Sequence, residues 1–357
     1  MSGSGPVHFG PGFSPPAFKN MTSSGKARVL VTGGAGFIGS HLTERLLNDG
    51  HAVSVIDNLT TGRESNLAHL REKAGLSFVQ GDINDRATLD PLVRSADWVF
   101  HLAALADIVP SIQKPDEYFH ANVNGTFALV QSCRAAGTKR LVYAASSSCY
   151  GIPDAYPTPE TAEIRPQYPY ALTKYLGEQL VLHWSQVYGV PAVSLRLFNV
   201  YGPRSRTSGT YGAVFGVFLA QLLANKPLTV VGDGTQRRDF TFVADVVDAM
   251  VTAATKGRAG QVYNVGSDDA QSVNRLVELL GSKETVRLPK RPGEPELTLA
   301  DTSKIRRELG WHARVPFDQG VRIMLENIEY WRQAPVWTVD TIQHATADWF
   351  KHLGKNG

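Results

Sequence analysis

The chain has 357 residues and a formal net charge of +3, with 36 Lys+Arg against 33 Asp+Glu, so it carries no basic arm for nucleic acid. A hydrophobic fraction of 43% with 19% charged residues is a globular composition, and the length allows one large α/β unit or two units sharing a cleft. The two cysteines, Cys133 and Cys149, are too few for a four-thiolate metal site or a disulfide framework and point to a reducing, cytoplasmic compartment.

Residues 1–25 are rich in Gly, Ser and Pro and lack the apolar block of a secretory signal, so they are expected to be a disordered tail. From Ala27 the pattern becomes regular. An apolar run at 29–31, a Gly-rich turn and helical spacing over 37–48 read as strand, turn, helix. Further strands are expected at 52–56, 77–79, 98–102, 141–143 and 192–195, with helices at 87–93, 123–135 and 169–188 between them. Strands alternating with helices imply a parallel sheet covered on both faces, and the lack of polar alternation fits that burial. After Pro203 longer loops appear, such as 203–212, with Gly232-Asp-Gly234 and Arg291-Pro-Gly293 as punctuation. The apolar stretch 213–224 falls well short of the roughly 20 residues of a bilayer span and reads as a buried helix, so no membrane is expected as a partner. The expected class is α/β, a Rossmann-type doubly wound parallel sheet with a smaller, interleaved substrate-binding part. Residues 26–200 and 239–266 would form the dinucleotide domain, with 240–266 a helix and strand returning to the main sheet. Residues 201–238 and 267–333 would form the substrate domain, and 334–357 a helical extension bearing Trp337, Trp349 and Phe350.

Gly33-Gly-Ala-Gly36-Phe37-Ile38-Gly39 follows the first strand and opens a helix, the context that gives a glycine pattern its meaning. Gly33 permits the tight turn, Gly36 lets backbone approach a pyrophosphate, and Gly39 lets helix and sheet pack closely. The helix start then offers unpaired N–H groups and a positive dipole end to phosphates. Asp57, 18 residues past Gly39 and followed by Asn58, suits both adenosine ribose hydroxyls and repels a 2′-phosphate, which favours NAD over NADP, although Arg63 is able to pair with a phosphate. Asp82-Ile83 and Leu102-Ala103-Ala104 end the next two strands at the carboxyl edge, where open α/β sheets bind ligands. Asp82 admits two readings, an adenine contact or a helix cap. His101 reads as a packed strand-end residue.

Tyr170-Ala-Leu-Thr-Lys174 sets a phenol and an ammonium on one helix face. A nearby cation is expected to lower the phenol's pKa toward the working range and make Tyr170 a general base. The cluster Ser146-Ser147-Ser148 sits just after a strand. With these motifs in this order, residues 27–331 resemble the extended short-chain dehydrogenase/reductase family, in particular its nucleotide-sugar epimerases and dehydratases, with UDP-sugar 4-epimerases the nearest group.

The resemblance implies that Ser146 binds the substrate hydroxyl, Tyr170 takes its proton, and Lys174 holds the nicotinamide ribose. It adds Asn122, in Asn122-Val-Asn-Gly-Thr126, to the cofactor set. It also implies that Arg238 and Arg291 clamp a nucleotide diphosphate, that Asn199 approaches it from the near side, and that Ser147 and Ser148 touch the sugar. Guanidinium forks suit two phosphate charges. Arg237 is expected to face away. Dehydratase relatives carry an Asp-Glu pair where Ser147 and Ser148 stand, and decarboxylating relatives a Glu in place of Ser148. Those that epimerise beside the keto group use a Cys there, whereas Cys149 is one residue late and reads as buried packing. What remains is a 4-epimerase that oxidises C4 and returns hydride to the other face, with a 4,6-dehydratase as the alternative if an acid such as Asp107 takes part. Thr298 lies where relatives admit or exclude an N-acetyl group. Base readout is expected in the 211–231 region, and the apolar stripes of the helices at 123–135 and 169–188 imply a homodimer through a four-helix contact.

Overall fold

A computed structural model describes residues 25–205 and 213–354. The expected tail, apart from Gly25, lies outside the described residues, as do residues 206–212 of the expected loop, the start of the expected base-reading region and the last three residues.

In chain order the elements are β1 (Arg28–Thr32), α1 (Phe37–Asn48), β2 (Ala52–Asp57), β3 (Leu76–Gln80), α2 (Arg86–Ser95), β4 (Trp98–His101), α3 (Ile108–Gln113), α4 (Pro115–Phe119), α5 (Gly125–Ala136), β5 (Arg140–Ser146), α6 (Pro169–Tyr188) and β6 (Ala192–Leu197). There follow β7 (Asn199–Tyr201), α7 (Val214–Leu223), β8 (Leu228–Val231), β9 (Arg237–Phe242), α8 (Val243–Lys256), β10 (Gln261–Val265), β11 (Ala270–Ser272), α9 (Val273–Leu279), β12 (Thr285–Leu288), α10 (Ser303–Leu309), α11 (Phe317–Glu326) and α12 (Val339–Leu353). Seven strands form a parallel sheet in the order β10-β6-β5-β4-β1-β2-β3. Alternate side chains feed two cores. Val29, Val31, Val53 and Val55 pack with α1 and α8 on one face, while Leu30, Ile56, Val99 and Leu141 pack with α2, α5 and α6 on the other. The order reverses beside β1, which opens a crevice at the carboxyl ends of β1 and β4.

A second lobe holds a three-stranded sheet, β11-β9-β7, and a two-stranded one, β12-β8. Its core is aromatic, with Tyr201 stacked on Phe215 at 4.6 Å and Phe240 on Phe317 at 5.1 Å. The helix expected at 213–224 is α7, whose Phe215, Val217, Phe218 and Leu219 are buried in that core. No helix among the described residues is long and apolar enough to cross a membrane.

Three differences from the sequence expectation matter. The segment expected to return to the main sheet from 240 onward begins inside β9, which pairs with β7 and β11, and only α8 and β10 join the main sheet. The helices α3 and α4 and a π-helical turn at His120–Asn124 were not expected, because Pro110 and Pro115 interrupt the periodicity there. Trp337 precedes α12, whose N-cap is Thr338, since the Thr338 hydroxyl accepts from Thr341 N and starts the helix there.

Under the sheet, Arg196 of β6 and Glu178 of α6 form a buried ion pair, Nη2 to Oε1 at 2.6 Å. Ser194 donates to Glu178 at 2.8 Å, and Arg196 donates to the Tyr150 hydroxyl at 2.9 Å and the Glu160 carbonyl at 3.1 Å. This network ties α6 to β6 beside the crevice. Arg196→Met leaves the Glu178 carboxylate buried without its cation, so urea denaturation should show a loss of about 3–5 kcal/mol, with much of it recovered in Glu178→Gln/Arg196→Met.

Candidate active site

A cavity of about 740 Å³ follows the carboxyl edge of the main sheet and extends under the second lobe. At one end lies the glycine loop. Gly33 has φ +71°, and a Cβ there would stand 2.7 Å from the Ala103 backbone nitrogen. A Cβ on Gly39 would collide with the Gly33 carbonyl. Gly36, the N-cap of α1, is extended and makes no side-chain cap, so the helix start lines the cavity as backbone, flanked by Phe37 and Ile38. Such a wall fits a dinucleotide pyrophosphate, which needs close backbone and free N–H groups.

Asp57 is buried at the end of β2 and accepts from Ala35 N at 3.0 Å and Leu59 N at 2.9 Å. Burial raises its pKa and these backbone bonds pull it back. Asn58 beside it donates to Asp82 at 2.9 Å. Burial pushes Asp82 up, but bonds from the Asn84 backbone and from the Asn58 and Asn84 amides hold it below the usual carboxylate range. The cap of α2 is Asp85, which accepts from Ala87 N at 3.0 Å, so Asp82 is not the helix cap and instead lines the cavity with Ile83. Leu102, Ala103 and Ala104 line the opposite wall.

The Asn122 oxygen accepts from Leu105 N at 2.8 Å, and its amide donates to the Leu105 carbonyl and Thr173 Oγ1, each at 3.0 Å. The side chain is thus spent on bracing the loop after β4 against α6. His101 is buried between Thr32 Oγ1 at 2.8 Å and Thr126 Oγ1 at 3.0 Å, and burial, with Lys174 nearby, lowers its pKa to about 3.

In the middle of the cavity Ser146, the last residue of β5, caps the one-turn helix Ser147–Tyr150. Its hydroxyl stands 2.8 Å from that of Ser148 and also bonds Tyr170. Ser147, Tyr170 and Lys174 line the same space. Burial raises the pKa of Tyr170 while the Ser146 bond lowers it, so the expected lowering by Lys174 is corrected here. The reason is that Lys174 is itself buried, which brings it down to about 7 with Glu178 opposing, and its ammonium lies over the Tyr143 ring at 4.3 Å. Cys149 is packed among Tyr150, Phe198 and Ala300, and burial raises its pKa to about 12.

At the far end Arg238 and Arg291 face one carboxylate, Glu294, at 2.8 Å and 3.9 Å. Asn199 accepts from Thr298 Oγ1 at 2.7 Å. All five line the cavity, whereas Arg237 turns away to the Ala270 carbonyl. Sequence reasoning missed Glu294, although it directly follows Arg291-Pro-Gly293, and Tyr168, whose ring stacks on Tyr170 at 6.3 Å. It singled out Trp349 without a role; the residue lines this end.

Residues 29–266 match the model of the NAD dependent epimerase/dehydratase family. The chain belongs to that family. It is 36% identical over 313 residues to a UDP-glucose 4-epimerase of Mycolicibacterium smegmatis, covering 85% of this chain and 98% of the relative. Among solved structures it is similar to a UDP-glucuronic acid 4-epimerase of Bacillus cereus in complex with UDP-glucuronic acid and NAD, at TM-score 0.79 and 33% identity over 85% of this chain and 99% of that one. It is also similar to a dTDP-glucose 4,6-dehydratase of Streptomyces venezuelae with NAD bound, at TM-score 0.80 and 31% identity over 86% and 99%. The cofactor of this enzyme is therefore NAD.

The state of His101 gives a test. Its pKa lies near 3 in the fold against about 6.5 in an unfolded chain, so between these values the unfolded state binds the extra proton and stability falls as pH falls. His101→Asn should flatten the part of this loss that begins below about pH 6.5, as read from chemical denaturation at a series of pH values.

Proposed function

We propose that this enzyme is a nucleotide-sugar 4-epimerase acting on a UDP-sugar, with the main sheet's domain (26–198 and 243–266) for NAD and the second lobe (199–242 and 267–333) for the nucleotide sugar. The observation that carries the reading is the hydroxyl network of Ser146, Ser148 and Tyr170, facing the cavity between Lys174 and the guanidinium groups of Arg238 and Arg291. Relatives named for UDP-glucose and UDP-arabinose 4-epimerisation support the substrate class.

NAD, held along the glycine loop and beside Asp57, would supply a reversible hydride acceptor for C4. Tyr170 takes the C4 hydroxyl proton while Ser146 holds the same oxygen, and Lys174 steadies the cofactor ribose beside them. Arg238 and Arg291 grip the diphosphate with planar charge-assisted bonds, which exchange Glu294 for phosphate oxygens and leave the sugar end able to turn over. Ser147 and Ser148 offer hydroxyls to the sugar but lack the pKa of an acid or base for dehydration. A second reading, a 4,6-dehydratase, draws on Asp107, the residue before α3, whose side chain lines the same cavity.

Incubation with UDP-glucose, UDP-N-acetylglucosamine and UDP-glucuronic acid, followed by NMR, should yield a C4 epimer; an accumulating 4-keto-6-deoxy sugar would establish the second reading instead. Tyr170→Phe should keep its NAD and lose about 10²–10⁴ in kcat.

The assembly we propose is a cytoplasmic homodimer through α5 and α6, where Phe127, Leu172, Val187 and Tyr188 are exposed apolar side chains. Light scattering should give twice the 38.9 kDa chain mass, and charged replacements at Phe127 and Leu172 should return the monomer.

A further inference from the structure

The helix α12 lies beyond residues 29–266 matched by the family, yet it reaches the cavity. It bridges the two sides of the cleft. On the main-sheet side Gln113 of α3 donates to Asp348 at 2.8 Å; on the other, the Trp349 indole N–H donates to the Pro292 carbonyl at 2.7 Å. Ahead of the helix, Gln221 of α7 donates to the Trp337 carbonyl at 2.8 Å, which fixes the approach of the chain.

Trp349 is only 5% exposed, and its ring forms part of the cavity wall. It stands between the two groups that a bound sugar nucleotide must connect. The Arg291 guanidinium carbon is 5.5 Å from the Trp349 ring centre. On the other side the Trp349 ring lies 6.3 Å from that of Tyr168, which in turn stacks on Tyr170 at 6.3 Å and 8°. A hexosyl group held at its diphosphate by Arg291 and reaching Tyr170 with its C4 hydroxyl must pass along this aromatic row. The single polar atom of the indole is a donor already used on Pro292. What the ring presents to the cavity is therefore apolar surface, which meets the C–H face of a pyranose and discriminates by shape and bulk.

We infer that Trp349 is a specificity-determining residue: α12 supplies the wall of the hexosyl subsite, and the indole sets which sugar substituents fit there. The inference rests on the 4-epimerase reading for where the sugar lies. The diphosphate would lie on the Arg291 guanidinium, with the indole ring between it and Tyr168, so the inference assigns Trp349 to the sugar and leaves phosphate charge to the arginines.

The test compares full-length wild type, Trp349→Ala and Trp349→Phe, each with its bound NAD, on UDP-glucose and UDP-N-acetylglucosamine, with UDP alone as the nucleotide probe. The expected result is a change of roughly tenfold or more in the ratio of kcat/KM for the two sugars in Trp349→Ala, the scale on which an apolar pocket discriminates small groups, with UDP affinity held within about threefold. Trp349→Phe should shift the ratio the same way by less, and it supplies the reading if the alanine variant does not fold. A parallel loss for UDP and both sugars at a constant ratio would overturn the inference, because Trp349 would then only support the Arg291 loop. An unchanged ratio with unchanged UDP binding would overturn it as well. If the wild type turns over neither these sugars nor UDP-glucuronic acid, the 4-epimerase reading fails by itself; in either case the affinities of the two UDP-sugars relative to UDP, measured by calorimetry, still show whether Trp349 discriminates between them.

Discussion

The buried ammonium of Lys174 is the constraint around which the centre of this protein is arranged. Removing a lysine from water disfavours its charge, and here burial brings it to about 7. The Tyr143 ring beneath it and Glu178 one turn along α6 are what the fold provides in return. Glu178 is also the partner of Arg196, so the ammonium, the carboxylate and the guanidinium form a chain of charge running from the cavity wall into the sheet. Burial, set against the hydrogen bond from Ser146, decides how readily Tyr170 gives up its proton.

That chain explains the tight link between fold and site. Ser146 ends β5, Arg196 lies in β6, and Tyr170, Lys174 and Glu178 share α6; parallel pairing of β5 with β6 and the packing of α6 across them set their separations. Asn122 belongs to the same scaffold. It closes the loop after β4, which carries Ala103 and Ala104, against Thr173 of α6.

The two ends of the cavity work by different physics. The glycine end recognises through backbone, since bare N–H groups and absent Cβ atoms let a pyrophosphate come close. The arginine end recognises through side-chain charge, with Glu294 balancing two guanidinium groups in the free protein. Between them the lining is hydroxyl and aromatic.

The sequence by itself determined the strands β1 to β6, the helices α1, α2, α5 and α6 between them, and the places of the glycine loop, Asp57, Ser146, Tyr170 and Lys174 within them, because each rests on local rules. Periodicity of apolar residues, a φ that only glycine accepts readily, and a four-residue helical step are all written within a few neighbouring positions. Only the tertiary structure decided that β9 leaves the main sheet, that burial raises the Tyr170 pKa, that Asn122 braces the loop after β4 against α6, and that Trp349 meets Arg291 and Tyr168. Those outcomes depend on residues tens to hundreds of positions apart coming into contact, and on how much water the contact excludes; no spacing in the chain encodes either quantity.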